Sequence, residues 1–471
     1  MKNKNIFIPI FSGIEAKNLL RTGVARALLA NGDVTLILLM TENAKREAHY
    51  RKEFSHPRIT VEVVPSYRAS CVDRLFQTLS FFALDTETTR WRARLVARAS
   101  GRYFWYLFAR AFRFLASRKA SIAFLRVCDR YFTRRHEYFA LFERYAPRAI
   151  LCANLFDEKE MHLAREARAC GTATVGYINS WDRTTTRALL RDIPDRCIVF
   201  NERIKSELVH YHAVPPTHIS VCGIPQHDYF FRPETLAEAA STYGQSIRPL
   251  RSRAAFLKSI GLAEDARFIF YAPMGPSFSA SDWDIIDLLL RLERENRLGG
   301  ARLFVRFPPN DMIDERELAR RPELRFYRPG VRFSARRGAD WDMPFEDLLL
   351  LSETLQYASL VVNYLSSIAI DAAIFDVPVI GIHFETRSIS DPTRAPTEYY
   401  HMEHYRRALA TGAIALAYSP RELETLIVRS LEYPAFAHAE RARLVREQCR
   451  YTDGKSSERI AAVILRAVNA L

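Results

Sequence analysis

Several signatures that would fix a function at once are missing from this sequence of 471 residues. It has no GxxxxGK(S/T), HExxH, GxSxG or GxGxxG pattern, which removes support for P-loop NTPases, zinc proteases, α/β-hydrolases and Rossmann dehydrogenases. No stretch approaches the roughly 18 uncharged apolar residues that a membrane span needs. The seven cysteines include no CxxC pair, so we expect reduced core thiols of a cytoplasmic protein and no metal site.

Length and charge limit what kind of protein this is. A chain of 471 residues that is 48% hydrophobic is long enough for two domains, each of about 200 residues. The net charge of +14 is concentrated between Arg68 and Arg144, where there are 16 Lys and Arg but only 6 Asp and Glu. A local basic excess predicts an anionic partner such as lipid headgroups, nucleic acid or phosphates.

Apolar runs alternate with amphipathic segments in the first half of the chain. We interpret the first run, Asn5–Phe11, as a buried strand and not as part of a signal peptide, because its apolar stretch is short. Further strands are predicted at Val34–Met40, Thr60–Val64, Ala149–Ala153, Thr172–Ile178, Arg196–Phe200 and His218–Cys222. Buried runs separated by helices are typical of a parallel sheet with helices on both faces.

The alternation returns in the second half. Predicted strands there are Arg267–Tyr271, Arg302–Arg306, Leu324–Tyr327, Leu360–Asn363, Val379–Ile382 and Ala413–Ala417. The predicted fold class is therefore α/β, with two doubly wound Rossmann-like domains that face a cleft and bind ligands at the carboxyl ends of their strands. We expect a first domain over 1–232, a linker over 233–253, a second domain over 254–452 and a C-terminal helix over 453–471. Residues 66–145 show no clear strand, and we expect two or three helices inserted into the first domain.

Three segments of the second half suit phosphate binding. Ser366 and Ser367 follow a buried strand and open a helix, whose N-terminal amides and hydroxyls can hold a diphosphate without a metal; one serine serving only as the N-cap is the alternative. Arg306 ends a strand before two prolines and suits bidentate phosphate binding, or pairs with an acid such as Asp311. Ser277 lies in a turn-rich segment after another strand and could reach phosphate, or belong to a plain loop.

The first half offers candidates for acid–base chemistry. Trp181, Asp182 and Thr184 lie in the segment NSWDRTTT after a predicted strand. A carboxylate beside a tryptophan can be partly desolvated and act as a general base, whereas the plainer reading is that Asp182 caps the next turn. Asp157 and Glu160, after the neighbouring strand, compete for this role, and so do His227 and Asp228, which could also only shape the end of the domain.

The insertion contains an unusual aromatic and basic stretch. RYFWYLFARAFRF, residues 102–114, interleaves seven aromatic residues with arginines. This mixture suits a bilayer interface, with rings at headgroup level and guanidinium groups on lipid phosphates. Nucleic-acid stacking uses the same residue types, and a helical hairpin that buries its aromatics is the plainer alternative. We expect an anionic membrane surface to bind residues 68–144, and no nucleic acid.

The order of these segments resembles bacterial surface-polysaccharide glycosyltransferases of the two-domain GT-B fold. The likeness is nearest to the group around CDP-glycerol glycerophosphotransferases and UDP-N-acetylglucosamine 2-epimerase-like proteins. It is carried by FIPIFSGIEAKNLLRTG (7–23), GYINSWDRTTT (176–186), residues 197–228, RFPP (306–309), residues 360–384 and YTDGKSSERI (451–460).

The resemblance implies that the two domains bind different substrates. The second would bind nucleotide and diphosphate through Arg306, Ser366 and Ser367, and the last helix would cross back to the first domain. The first would bind the acceptor, with Gly13, Trp181 and Thr184 on the acceptor side. The glycerophosphotransferases carry a histidine–glycine pair where this chain has Ser180-Trp181-Asp182, so either the base is Asp182 or polyol-phosphate transfer is the wrong chemistry.

The sequence thus predicts a metal-independent transferase with no permanently bound cofactor. It would move a sugar, or a polyol phosphate, from a UDP- or CDP-linked donor to a glycan or lipid-linked acceptor. We expect it in the cytoplasm, peripheral on the inner face of a bacterial membrane. The alternatives are a sugar-nucleotide epimerase of the same fold and a non-catalytic glycan-assembly or lipid-tethering protein.

Overall fold

A computed structural model of the chain describes residues 4–335, 338, 340–364 and 366–470. The chain divides into two compact units: Met1–Ile247 together with Cys449–Leu471 forms the first, and Arg248–Gln448 forms the second. None of the described helices is long and apolar enough to span a bilayer.

The first unit is built on a parallel sheet. Within the described residues it has seven strands in the order β3-β2-β1-β4-β5-β6-β7. Their bounds are β1 Lys4–Pro9, β2 Val34–Thr41, β3 Ile59–Val64, β4 Ala149–Cys152, β5 Ala173–Tyr177, β6 Arg196–Val199 and β7 Ile219–Val221. Because the chain winds outward from β1 through β2 to β3 and then starts again at β4 on the other side of β1, the winding direction reverses between β1 and β4.

The helices of the first unit fill the connections between these strands. Their bounds are α1 Gly13–Glu15, continued by a π-helical stretch Ala16–Leu20, α2 Gly23–Leu29, α3 Ala44–Glu53, α4 Cys71–Ala83, α5 Glu87–Ser100, α6 Tyr103–Ala116, α7 Lys119–Phe132, α8 Phe139–Tyr145, α9 Glu158–Ala169, α10 Arg183–Thr186, α11 Glu202–Tyr211, α12 Asp228–Phe231 and α13 Glu234–Ser241. The helical stretch between β1 and β2 is interrupted at Arg21 and Thr22. Thr22 is extended, and its hydroxyl donates back to the carbonyl of Asn18 at 2.9 Å, which helps to end the first segment.

The inserted region is helical, as predicted, but residues 71–145 form five helices, α4 to α8, where the sequence suggested two or three. The additional breaks have local causes. Ser70 and Thr86 make capping boxes that start α4 and α5, and Gly101 ends α5 with φ of +69°, a left-handed conformation that glycine adopts without a steric penalty.

The second unit holds a second parallel sheet. In the part of the chain that the structure describes, this sheet has six strands in the order β10-β9-β8-β13-β14-β15, and β11 and β12 form a separate antiparallel pair. The bounds are β8 Phe268–Ala272, β9 Arg302–Arg306, β10 Phe326–Tyr327, β11 Val331–Arg332, β12 Trp341–Asp342, β13 Leu360–Asn363, β14 Val379–Ile382 and β15 Ile414–Ala417. The sequence did not predict the short β11–β12 pair.

Helices of the second unit pack on that sheet and give it an apolar core. Their bounds are α14 Arg253–Ser259, α15 Asp282–Arg294, α16 Glu315–Ala319, α17 Phe345–Tyr357, α18 Ile368–Ile374, α19 Glu403–Leu409, α20 Pro420–Glu432 and α21 His438–Cys449. One face of α15 presents Ile285, Ile286 and Leu289 to the strands, and all three are fully buried. The α/β class with two doubly wound parallel sheets is confirmed.

The last helix, α22 Ser456–Asn469, belongs to the first unit. It packs on α2 and on β4, β5 and β6. The carboxylate of Asp228 fixes its start, because it accepts hydrogen bonds from the amides of Ser456 (2.9 Å) and Ser457 (2.7 Å). The predicted end of this helix, Leu471, lies outside the described residues.

Candidate functional site

In the second unit the winding direction reverses between β8 and β13. These strands are neighbours in the sheet, and Ala272 at the end of β8 lies beside Asn363 at the end of β13. In open parallel sheets, ligands bind outside the carboxyl ends of the strands at such a reversal, the topological switch point. The loops that follow Ala272 and Asn363 are therefore the candidate ligand site of this unit.

The loop after β8 is held in shape by buried carboxylates. Gly275 has φ of +90°, and a Cβ there would lie 2.2 Å from Oδ2 of Asp311, so only glycine fits. Asp282, at the start of α15, accepts hydrogen bonds from the amides of Met274 (3.3 Å) and Gly275 (2.7 Å) and from the hydroxyl of Tyr271 (3.0 Å). Burial raises the pKa of Asp282 to about 6. This loop is thus preorganised along the carboxyl edge of the sheet.

Ser277 lies on the same loop. Its hydroxyl donates to Oδ1 of Asp311 at 3.3 Å, and its amide approaches Oδ2 at 3.3 Å. Because phosphate oxygens only accept hydrogen bonds, Ser277 would have to release Asp311 to donate to a diphosphate. The predicted phosphate contact of Ser277 stays a prediction.

Polar groups accumulate at the end of β13. Asn363 is fully buried, and neither the oxygen nor the nitrogen of its side-chain amide has a hydrogen-bond partner among the described residues. The Ser366 hydroxyl accepts the amide of Ile368 at 3.2 Å, so it partly serves as the cap that the plainer reading expected. Ser367 is exposed, and its side chain makes no capping hydrogen bond to α18. Since buried amides normally have partners, Asn363 is a candidate ligand contact.

Arg306 ends β9, the strand beside β8 on the side away from β13. Its side chain is buried, with 8% of the residue exposed. The structure therefore brings Arg306, Ser277, Ser366 and Ser367 to one carboxyl edge of one sheet, as the sequence predicted for strand ends. Their contacts with a ligand stay predictions.

The loop after β5 in the first unit carries the predicted acid–base and acceptor residues. Asp182 and Trp181 are half-buried. The Asp182 carboxylate accepts hydrogen bonds from the hydroxyls of Ser180 and, at 3.1 Å, Thr186. Thr184 is fully buried, and its hydroxyl donates to Glu207. The Asp182 carboxylate is thus hydrogen-bonded within its own turn. The catalytic role of Asp182 and the acceptor contacts of Trp181 and Thr184 stay predictions.

A second group of carboxylates lies where the winding of the first sheet reverses, between β1 and β4. Gly13 is buried and opens α1, which follows β1, and Glu15 ends it. The Glu15 carboxylate accepts the amide of Ser12 at 2.6 Å. Glu160, in the first turn of α9 after β4, is fully buried and accepts the amide of Asn154 at 2.8 Å. The sequence named Glu160 as a competing base but missed Glu15.

The electrostatics of these two carboxyls differ from those of surface glutamates. Burial raises the pKa of Glu15 to about 7. Burial also raises the pKa of Glu160 well above its usual range, and the neighbouring charge of Glu15 adds to that rise. Perturbed carboxyls of this kind concentrate at functional sites. No group of three or more His, Cys, Asp and Glu in the described ranges could hold a metal ion.

The two doubly wound sheets define the class of this protein as GT-B-like. No family model matches the sequence, and no curated protein matches it significantly. Solved structures match its fold over the whole length. A putative UDP-N-acetylglucosamine 2-epimerase from Listeria monocytogenes has a TM-score of 0.53 at 10% identity and covers 100% of this chain and 98% of its own.

Two further structures show the same architecture. A UDP-GlcNAc 2-epimerase from Neisseria meningitidis bound to UDP-GlcNAc has a TM-score of 0.53 at 9% identity, and the match covers 98% of this chain and 100% of that one. The wall teichoic acid polymerase TagF, soaked with CDPG, has a TM-score of 0.50 at 12% identity, covering 100% and 90%. At identities of 9–12%, these matches show the fold alone, and it is the GT-B-like fold of the proteins that the sequence resembles.

Proposed function

We propose that the second unit binds a UDP- or CDP-linked donor at the carboxyl edge of β8 and β13. From it the protein transfers a sugar, or a polyol phosphate, to a glycan or lipid-linked acceptor in surface-polysaccharide biosynthesis. No permanently bound cofactor takes part. The GT-B fold supports this proposal, as do the nucleotide ligands named for similar structures, UDP-GlcNAc and CDPG.

One observation carries the proposal. The switch point of the second sheet holds the buried amide of Asn363, which has no hydrogen-bond partner among residues 4–335, 338, 340–364 and 366–470. The hydroxyls of Ser366 and Ser367 follow it within four residues. An unsatisfied buried amide lowers the stability of the fold by about 1–3 kcal/mol. A polar ligand that hydrogen-bonds to the amide would offset this loss.

The proposed chemistry assigns roles to the residues at this edge. Transfer of a sugar breaks its bond to the diphosphate, and transfer of a polyol phosphate breaks the bond between the two phosphates. In both cases negative charge develops on the phosphate oxygens of the departing nucleotide. The Arg306 guanidinium and the hydroxyls of Ser366 and Ser367 would stabilise that charge. In the first unit a carboxylate must accept the proton of the acceptor hydroxyl. Asp182 is the residue that the sequence assigns to this step.

Calorimetric titration of UDP and CDP into the full chain tests the donor site. Arg306→Ala should weaken binding by about 1.5–3 kcal/mol, because a hydrogen bond to a charged group is lost. Arg302→Ala is the matched control: Arg302 begins the same strand, is exposed and pairs with Glu293. If both variants bind like the wild type, or weaken equally, Arg306 does not contact the diphosphate.

An epimerase of the same fold is the second candidate function. It is favoured by the TM-scores of 0.53 to two UDP-GlcNAc 2-epimerase structures. An epimerase needs no acceptor, so proton NMR of UDP-GlcNAc incubated with the protein alone separates the two candidates. A new sugar epimer still attached to UDP would establish the epimerase, whereas a transferase leaves that sugar unchanged until an acceptor is added.

The surface of the insertion supports a lipid-linked acceptor. Helices α6 and α7 expose large apolar side chains, among them Phe104 (75% exposed) and Tyr131 (77%); the others are Tyr103, Trp105, Leu107, Phe108, Phe114, Leu115, Phe124, Val127 and Phe132. We name this set the aromatic face. An exposed patch of this size marks an interaction surface. Because these side chains are exposed, the plainer alternative, a helical hairpin that buries its aromatic rings, does not apply to them.

Exposed cations flank the aromatic face. Arg102, Arg110 and Arg118 are exposed, and the guanidinium carbon of Arg118 lies 5.4 Å from the ring centre of Phe114. Arg113 and Arg126, counted in the basic stretch, are instead buried, and Arg126 donates to the carbonyl of Leu190 at 2.8 Å. The aromatic face and its exposed arginines suit an anionic bilayer surface.

Vesicle sedimentation tests this membrane role. The protein should sediment with vesicles of phosphatidylglycerol and phosphatidylcholine, less with phosphatidylcholine alone, and less in high salt. Replacing Arg102, Arg110 and Arg118 by Gln should weaken sedimentation by about 1 kcal/mol for each arginine that contacts the surface. The same three replacements at exposed Arg residues of the second unit, Arg316, Arg320 and Arg421, are the control. Equal binding of wild type and insertion variant would remove the membrane role.

A further inference from the structure

The first sheet has a switch point of its own, and two buried glutamates follow the two strands that flank it. The order β3-β2-β1-β4-β5-β6-β7 places the reversal of winding between β1 and β4. Glu15 lies on the turn that leaves the carboxyl end of β1, and Glu160 lies on the first turn of the helix that follows β4. Ligands of open parallel sheets bind at this position. The sheet itself therefore brings both carboxyls to the place where a ligand is expected.

Buried polar atoms around the pair lack protein partners. Oε1 of Glu160 and Oδ1 of Asn18 are buried, and the structure gives neither a hydrogen-bond partner in the described part of the chain. Asn18 follows Glu15 by three residues on the continuous helical stretch 13–20. Asn179, after the adjacent strand β5, is 5% exposed, and its amide is likewise unsatisfied.

This accumulation is unusual for a core. Buried polar atoms nearly always have partners, and here a carboxylate oxygen, a carbonyl oxygen and a whole amide lack them at the ends of three adjacent strands. The helix beside Glu15 is also π-helical over Ala16–Leu20, a rare geometry that often occurs at functional sites. The unsatisfied side-chain amides of Asn18 and Asn179 and the π-helical geometry are observations independent of the carboxyl pair, and they favour a polar ligand.

The arrangement also keeps a proton on the pair. No arginine or lysine forms an ion pair with Glu15 or Glu160 in the described residues. Two like charges in one buried site repel each other, so ionising one carboxyl opposes ionising the second. The other ionisable groups that act on the pair are Asp157, which raises the pKa of both carboxyls, and Lys159, which lowers that of Glu160.

We propose that Glu15 and Glu160 form the proton-transfer site of the first unit and that they, not Asp182, accept the proton of the acceptor hydroxyl. One carboxyl is protonated and the other ionised before the acceptor binds. The ionised carboxylate takes the hydroxyl proton as the acceptor oxygen bonds to the transferred group. The bond from that group to the donor breaks, and its electron pair leaves with the nucleotide. The added proton then passes to water.

This inference deepens the proposed function and rests on it for the identity of the donor. Its test uses the full chain with Glu15→Gln and Glu160→Gln. Both variants should bind UDP within about twofold of the wild type, and release of UDP from UDP-GlcNAc or of CMP from CDP-glycerol should fall by about 100-fold or more. Failure of the wild type to bind UDP or CDP would count against the proposed function, whereas full nucleotide release by Glu160→Gln would overturn this inference alone.

A matched control separates chemistry from folding. Glu166 is another buried glutamate of α9, and its oxygens accept the amides of Glu137 (3.1 Å) and Tyr138 (2.8 Å). Glu166→Gln should lower stability and leave nucleotide release per folded molecule unchanged. Glu15→Gln and Glu160→Gln should not lower stability at pH 8, since each glutamate accepts a backbone amide through one oxygen only, and Gln keeps an oxygen for that contact. If they destabilise the fold as Glu166→Gln does, the pair is structural and the proposal is wrong.

The protonation of the pair can also be measured without enzymatic activity. Carbon-13 NMR of the chain labelled at its glutamate carboxyls should show one carboxyl that titrates near neutral pH, as the raised pKa of Glu15 to about 7 requires. That titration should disappear in Glu15→Gln and persist in Glu160→Gln, because burial and the charge of Glu15 keep the pKa of Glu160 well above its usual range, so Glu160 carries no charge when Glu15 ionises. The absence of any carboxyl titrating above the ordinary range in the wild type would overturn the proposal.

Discussion

Replacing Asn363 by leucine should make the second unit more stable while it weakens donor binding. The side chain is fully buried, and neither polar atom of its amide is hydrogen-bonded by a described residue. Its neighbours across the sheet are Ala272 and Gly381, so a side chain of similar size meets small residues on both sides. Leucine keeps the volume and removes the unsatisfied amide.

The magnitude follows from the cost of that amide. Burying an unsatisfied amide costs about 1–3 kcal/mol, so Asn363→Leu should raise the free energy of unfolding of the second unit by about that amount. A unit of this size should then melt roughly 2–4 °C higher for each kcal/mol gained. Affinity for UDP or CDP should fall by about tenfold or more, because a hydrogen-bonding contact with the donor is lost.

Urea unfolding followed by circular dichroism, with calorimetry for binding, measures both effects. Thr354→Val is a suitable control, since the fully buried Thr354 hydroxyl donates to the carbonyl of Leu350 and its loss should destabilise the unit by about 1 kcal/mol. The reasoning is refuted if Asn363→Leu destabilises the unit as the control does, or if nucleotide affinity is unchanged. Either result would mean that the amide serves the fold and not a ligand.

Two further predictions concern the first unit. Because the pKa of Glu15 is raised in the folded state from 4.5 to about 7, the folded chain binds more protons than the unfolded chain between these values, and stability should fall as pH rises through that window. Glu15→Gln should flatten this dependence, which amounts to at most about 3 kcal/mol; an unchanged slope in urea unfolding from pH 4 to 8 contradicts it. If Asp182 is the base after all, Asp182→Asn should lower turnover by about 100-fold with donor binding intact, and a variant with full turnover removes it from the reaction.

Much of the fold could be predicted from the sequence because its strands are buried on both faces. Parallel strands in such sheets are nearly continuous apolar runs, and segments such as Arg302–Arg306 and Leu360–Asn363 were predicted with the bounds that the structure shows. The β11–β12 pair was missed because each strand is only two residues long. Too few residues alternate there to produce a periodic signal.

The site was harder to predict because partners distant in sequence decide what a polar residue does. The Ser277 hydroxyl donates to Asp311 and the Thr184 hydroxyl to Glu207, and neither pairing can be read from local sequence. Glu15 was missed for another reason. Ser12 and Glu15 form a capping box, a common structural motif, and nothing in the sequence alone shows that this glutamate is buried beside Glu160.

The most direct test of the central claim is a crystal structure of the protein soaked with UDP or CDP. We predict diphosphate density at the carboxyl ends of β8 and β13, within hydrogen-bonding distance of the side chains of Asn363 and Arg306 and of the N-terminal turn at Ser366 and Ser367. The account would be contradicted if no nucleotide density appeared at the carboxyl ends of β8 and β13 at a saturating nucleotide concentration, or if the protein's own side chains filled that position.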